Sequence, residues 1–197
     1  MSSRESTKAA NRAALLEAGR EAFSELGYAA VGVRDIVRRT SLAPGTFYNY
    51  FPDKPAVFRA VVEEVGAEAR RRVRTARRGA GSAHAFVRDG FAAFFEFIAS
   101  EPAAFGFLAR NFDTIRERFG DAVLPAGLGE LREDLEDAIA RGLFPPVDVD
   151  YCAHAMVAVG LELGSRLLAR DPPDVRGATE FATALFTDGL RPSPTHP

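Results

Sequence analysis

The stretch from Val33 to Lys54 constrains the fold more than the rest of the chain together. It reads as two short helices joined by a tight turn, followed by a third helix that opens at Lys54. The second short helix begins at Pro44 and Gly45, carries Thr46, and displays Tyr48, Asn49 and Tyr50 before closing on Phe51. A helix of about two turns that shows hydroxyl, amide and phenol groups has little to bury and much to offer a polar groove, as the second helix of a helix-turn-helix does. Phe47 and Phe51, four residues apart, are its expected anchors onto Ile36, Val37 and Phe23, with Thr46, Asn49 and Tyr50 facing outward.

Outside this stretch the chain is helical in pattern, with almost no strand signal and no internal repeat. A first helix is expected from about Lys8 to Leu26, with Leu15, Ala18, Ala22, Phe23 and Leu26 on one stripe and Gly27 ending it. Ahead of it, an arm carrying Arg4 and Lys8 reads as disordered. A long helix follows Asp53, a good N-cap, and runs to about Arg78. Val57, Val61, Val65 and Ala69 form its apolar side; Arg70, Arg74, Arg77 and Arg78 share another face and read as solvated. Gly79 to Ser82 marks the clearest boundary. Beyond it come helices over about 83–100, 102–111 and 113–123, an interruption at Pro125, Gly127 and Gly129, then helices over 130–141, 149–170 and 175–190. The fold class is therefore all-α. The domains are a head over 1–54, a connecting helix over 55–79, a helical body over 80–191 and a disordered tail over 192–197.

Charge separates the same regions. Residues 1–79 hold 15 Lys/Arg against 9 Asp/Glu, a surplus of +6, whereas residues 80–197 hold 10 against 18, a balance of −8. A basic head points to nucleic acid and an acidic body to another task. The one cysteine, Cys152, excludes an intrachain disulfide and fits a reducing compartment. The first residues lack the apolar run of a signal peptide, and the most apolar stretch, 153–168, is broken by His154, Glu162 and Arg166, so a cytoplasmic location is expected. Neither a Ser/His/Asp set, a phosphate-binding glycine loop nor a carboxylate pair stands out, so no catalytic residue is assigned. Cys152 and His154 are the nearest approach to a metal pair, but positions i and i+2 of a helix point apart, and no metal or cofactor is expected.

The residues Ile36, Val37, Thr40, Ser41, Leu42, Ala43, Gly45, Thr46, Phe47, Tyr48, Tyr50, Phe51 and Lys54 resemble the signature of the TetR family of one-component transcriptional regulators. The resemblance is specific from about Ala14 to Phe58 and continues beyond that only in helix order. It implies a three-helix DNA-binding head and a helical body for ligand binding and dimerisation. It further implies that Tyr48 and Tyr50 bond phosphates, that Thr46 lies near bases or phosphate, and that Lys54 binds a phosphate. Pro44 opens this helix, Gly45 lets the backbone approach a phosphate closely, Arg34 adds a phosphate contact, and Asn49 is the candidate for an adenine edge. Four positions depart from the family pattern. Thr40-Ser41 stands where Ala-Gly is usual, so a turn residue suited to positive φ is lost and some strain is expected. Ala43 replaces a capping serine, and Gly32 stands where Thr or Ser caps the preceding helix.

Nine of the sixteen Phe lie between Phe86 and Phe119. With the resemblance, this implies an aromatic-lined ligand site drawn from Phe94, Phe97, Phe105, Phe107 and Phe112, with Arg110, Asn111, His154 and Glu162 as orienting groups. The implied effector is small and hydrophobic or amphipathic. The last two helices carry Val157, Gly160, Leu161, Gly164 and Leu168, then Ala182, Leu185 and Phe186, at helical spacing. By resemblance these form a homodimer interface, so that two heads meet a palindromic operator about 34–36 Å apart. Repression is the expected sense. A dimeric DNA-binding regulator without a small-molecule ligand, constitutive or controlled by another protein, remains open at this point.

Overall fold

The computed structural model describes residues 3–119 and 124–188. Among them every regular element is a helix: α1 (Ser3–Ala30), α2 (Val33–Val37), the 3-10 helix η1 (Pro44–Asn49), α3 (Lys54–Arg78), α4 (Ala83–Ser100), α5 (Pro102–Arg110), α6 (Phe112–Phe119), α7 (Leu124–Ala140), α8 (Val149–Leu168) and α9 (Val175–Thr187). The expected tail, the end of the 113–123 helix, Gly189, and the side chains of Arg4 and Phe119 lie outside the described residues. No single described helix is long and apolar enough to cross a membrane.

Local chemistry explains the boundaries. Gly27 breaks α1 with φ of 77°, a conformation that glycine adopts without steric cost, so the expected helix end falls where the glycine stands. The start was misplaced: α1 begins at Ser3 rather than Lys8. Leu26 also leaves its expected stripe and is exposed, while Leu15, Ala18, Ala22 and Phe23 are buried. Asp53 caps α3 through the Ala56 N–H at 2.8 Å, Ser82 caps α4 through Ala85 N–H at 3.1 Å, and Asp148 caps α8 through Tyr151 N–H at 3.0 Å. One expected interruption is absent. Helix α7 starts at Leu124 and runs through Gly127 and Gly129, with Pro125 tolerated in the first turn. A Cβ at Gly127 would sit 3.4 Å from the Arg70 side chain, so glycine there serves a close helix approach.

The contacts divide the chain into two units, and not at Gly79. One joins the chain up to Ala67 with the segment that starts at Ala103; the other joins Glu68–Pro102 with the chain from Leu124 onward. Helix α3 thus contributes to both, and α5 and α6, which the sequence assigned to the body, pack with the head. Phe107 of α5 explains why. Its ring lies 6.4 Å from Phe23 and 5.6 Å from Phe58, completing an aromatic cluster with Tyr28.

In the second unit the core runs between α4, α8 and α9. Phe91 stacks on Phe95 and on Phe186, both at 5.7 Å. The arginine face of α3 is solvated as expected only at Arg78, 63% exposed; Arg70, Arg74 and Arg77 are largely covered. Arg74 donates to Glu133 at 2.7 Å, Arg70 lies 3.7 Å from Glu130, and Arg74, Arg77 and Arg78 surround the buried Asp134 at 3.5, 3.9 and 3.6 Å. Burial pushes the Asp134 carboxyl pKa up against the pull of three guanidinium groups, and lowers that of Arg77 to about 10. These arginines tie α3 to α7 through acidic partners.

Candidate nucleic-acid interface

Helix α2 is short because its second turn is taken over by the turn that follows. Gly32 opens it, and the Asp35 carboxylate accepts from the Gly32 N–H at 2.8 Å, which is half of a capping box. Ile36 and Val37 are buried against the head, while Arg34 is exposed. Arg39 reaches back to Glu25 at 2.6 Å; that bond holds the Glu25 carboxyl below its ordinary pKa and raises that of Arg39.

The turn after α2 corrects one expectation. No described non-glycine residue has positive φ, so Ser41 carries no left-handed strain. Thr40 replaces the missing glycine geometry with side-chain bonds. Its hydroxyl donates to Val37 C=O at 2.8 Å and accepts from Leu42 N–H at 3.2 Å. The paired departure at Thr40 and Ser41 is thus a different way of making the same corner.

The segment read as a recognition helix is 3-10 rather than α. Six residues that include Pro44, Gly45 and the β-branched Thr46 are too few and too poor in helix formers to sustain α-helical cooperativity. Ala43 stands at the N-cap with no side-chain bond, as its apolar side chain dictates. Phe47 and Phe51 are buried, 6.0 Å apart between ring centroids, and fix the inner face. Tyr48, 62% exposed, and Asn49 project from the outer one, with Thr46 half-buried beside them. Nothing lies within 4 Å of a Cβ built at Gly45. Tyr50 is half-buried, and its hydroxyl accepts from Asn11 at 3.1 Å, which ties η1 to α1. The Arg12 guanidinium lies over Phe51 at 5.4 Å. Asn11 and Arg12 were missed in the sequence because their partners are 39 residues away.

Lys54 is a frame residue in this arrangement. Its ammonium donates to the carbonyls of Tyr28 and Val31, each at 2.8 Å, and lies 4.2 Å from the Tyr28 ring centroid. Burial, followed by the nearby Arg118, lowers its pKa. Arg118 of α6 covers the same ring at 4.6 Å and was not anticipated.

An anchored, polar, exposed element after a tight corner, on a helical head, is what the comparisons with known proteins bear on. Residues 15–61 match the family described as bacterial regulatory proteins, tetR family. These residues carry the N-terminal segment of the TetR family. A match to bacterial regulatory proteins in this segment points to regulation through DNA rather than to catalysis. Solved structures of similar fold extend the likeness over the body. The fatty acid degradation regulator FadR from Bacillus halodurans has a TM-score of 0.77 at 20% identity, covering 91% of this chain and 96% of that one. FadR from Bacillus subtilis, in complex with stearoyl-CoA, has a TM-score of 0.77 at 18% identity, covering 90% and 98%. A tetR family transcription regulator from Shewanella sp. PV-4 has a TM-score of 0.78 at 17% identity, covering 91% and 98%.

The expected ligand residues fall in both units. Phe105, Phe107, Arg110, Asn111 and Phe112 belong to the first unit, and Phe94, Phe97, His154 and Glu162 to the second. Phe107 and Asn111 are committed to holding the head. His154 and Glu162 are exposed on the outer face of α8, where His154 Nδ1 meets the Asp150 carbonyl at 2.8 Å and Glu162 pairs with Arg166 at 3.0 Å. Both lie away from the buried stripe of α8. Phe94 and Phe97 remain in the aromatic core of the body.

The small-residue stripe is likewise turned inward. A Cβ at Gly160 would lie 3.3 Å from Phe94, Gly164 and Ala182 are buried, and Phe186 stacks on Phe91. These residues serve close packing on α4 within one protomer. Val157, Leu161, Leu168 and Leu185 are half-buried. The exposed apolar groups on these helices are Tyr151, 76% exposed, and Phe181, 53% exposed, accompanied by Ala155, Ala158 and Ala184.

Proposed function

We propose that this chain is a ligand-responsive TetR-family regulator: a homodimer that binds a palindromic operator in the cytoplasm and represses transcription until a hydrophobic or amphipathic effector binds. The observation that carries the reading is η1, where buried Phe47 fixes an element whose next two side chains, Tyr48 and Asn49, stand exposed. Tyr48 and Tyr50 donate to phosphates and Asn49 pairs with an adenine edge. Pro44, Gly45 and Thr46 bring the backbone against the duplex, and Arg34 neutralises a phosphate at the start of α2. Lys54 has one N–H beyond the two that it spends on Tyr28 and Val31, and this third N–H meets a phosphate.

Dimerisation uses the outer face of α8 and α9, where two large exposed aromatic residues, Tyr151 and Phe181, stand among alanines. Such a face supports a second copy of the chain better than open water. Leu161 and Leu185, half-buried at its margin, join it. The effector is held by the aromatic body around Phe94 and Phe97. The complex of the Bacillus subtilis FadR with stearoyl-CoA supports long-chain acyl-CoA as the first effector to try.

Selection of duplexes from a random pool by the purified protein tests the reading. Recovery of one palindrome, bound with a steep salt dependence and lost in Tyr48→Ala without a change in melting, is expected. Release of that duplex by long-chain acyl-CoA supports the effector class, and failure to release it redirects the search to other amphipathic molecules. Absence of enrichment at low salt overturns the reading.

A further inference from the structure

Asn111, at the junction of α5 and α6, is 2% exposed, and its side chain makes three bonds to backbone. Its oxygen accepts from Tyr28 N–H at 2.8 Å. Its amide nitrogen donates to Phe23 C=O at 3.1 Å and Phe107 C=O at 2.8 Å. These bonds fall on both sides of the Gly27 break. Phe23 C=O belongs to the helical turn before it, and Tyr28 N–H to the residue after it. Tyr28 is held from its other end by Lys54, which takes its carbonyl, and its ring is flanked by Lys54 and Arg118. The residues that follow, up to Val31, lead straight into α2 and the Thr40 corner that sets η1.

We propose that Asn111 is the positioning residue of the DNA-reading head: it fixes the Gly27 break, and through it the placement of α2 and η1, from the α5–α6 segment. The inference rests on the DNA-binding reading of η1 and deepens it by naming where that element can be released. Hydrogen bonds tolerate a few tenths of an ångström, so a shift of the α5–α6 junction by more than this breaks the bonds to Tyr28 and Phe23 together, while the bond to Phe107, in the same segment, moves with it. Displacement of α5 and α6 therefore reaches the reading element through this amide group, beside the ring contacts of Phe107 on Phe23 and Arg118 over Tyr28.

The test uses the full chain with Asn111→Asp, which keeps the acceptor for Tyr28 N–H but sets a carboxylate against the two carbonyls. Asn111→Ser serves where the aspartate variant does not fold, and Leu135→Ala, in the core of the body, is the control for general destabilisation. The first readout is amide hydrogen exchange. Faster exchange confined to residues 24–37 and 103–115 is expected; uniform acceleration, or none, overturns the proposal. The second is affinity for the selected operator at a temperature where all variants are folded. A loss of about tenfold or more is expected for Asn111→Asp, the size that follows from stranding buried polar groups, against less than about threefold for Leu135→Ala. Unchanged operator affinity in a folded Asn111→Asp overturns the proposal and leaves the DNA-binding reading intact. A wild type that selects no duplex overturns that reading instead, and the exchange pattern alone then decides whether Asn111 sets the break.

Discussion

The head and the body keep polar groups away from water in opposite ways. In the head every such bond is directional: Asn111 makes three bonds of 2.8–3.1 Å, and Lys54 makes two of 2.8 Å. In the body Asp134 is surrounded by three arginines, yet none lies closer than 3.5 Å. Arg74 Nε, Arg77 Nε and Asp134 Oδ2 are buried there without a hydrogen-bond partner. Hydrogen bonds weaken steeply with misalignment, whereas Coulomb attraction falls only as the inverse of distance. The head is thus specified as one geometry. The body is held by charge balance that survives small displacements, which suits a region that must accommodate different packings.

Breaking the charge balance has the largest expected effect. Asp134→Ala leaves the buried Arg77 with only the weaker field of Glu130 and is expected to cost about 3 kcal/mol, read as a lowered urea midpoint. Replacing both partners, Asp134→Leu with Arg77→Met, is expected to return stability to within about 1 kcal/mol of the wild type, because a non-directional pair is replaceable by packing. A double variant as unstable as the single one would mean that the cluster is as geometrically specific as the head.

The head offers the contrasting case. Lys54→Met removes two bonds to carbonyls and a cation over the Tyr28 ring, and is expected to cost about 1.5–3 kcal/mol. Lys54→Arg is not expected to restore it, since a planar fork does not reproduce the two bonds that a compact ammonium makes to Tyr28 and Val31. A melting temperature unchanged in Lys54→Met would remove the frame role and leave only a phosphate contact.

The same contrast explains what the sequence made legible. Helix ends followed from single residues, so Gly27, Asp53, Ser82 and Asp148 appear where local chemistry puts them. The anchors Phe47 and Phe51 and the exposed Tyr48 followed from spacing within one short element. What failed depends on partners far along the chain. Arg70, Arg74 and Arg77 read as solvated because Glu130, Glu133 and Asp134 lie more than fifty positions away. Asn111 read as a ligand group because its partners, Tyr28 and Phe23, lie 83 and 88 positions away. Gly160 and Gly164 read as a dimer seam because periodicity marks a packed face without saying whose helix packs on it. Ser41 read as strained because the effect of Thr40 on the turn is a side-chain bond, not a backbone propensity.

Two substitutions in η1 probe the reading surface itself. Ala43→Ser supplies the missing N-cap and is expected to stabilise the head by about 0.5–2 kcal/mol, read as a higher melting temperature. Gly45→Ala has the smallest expected effect on stability and is the most discriminating. Its added methyl meets nothing within 4 Å, and its backbone does not require positive φ. The free protein should therefore melt at the same temperature or slightly higher, by the equivalent of about 0.4–1 kcal/mol, since alanine loses less chain entropy on folding. Operator affinity should nevertheless fall by about tenfold, because a methyl at the point of closest backbone approach displaces phosphate bonds worth roughly 1.5–3 kcal/mol. A variant that melts like the wild type and binds like it would show that η1 meets DNA through Tyr48 and Asn49 alone. The glycine would then mark only the start of a short helix.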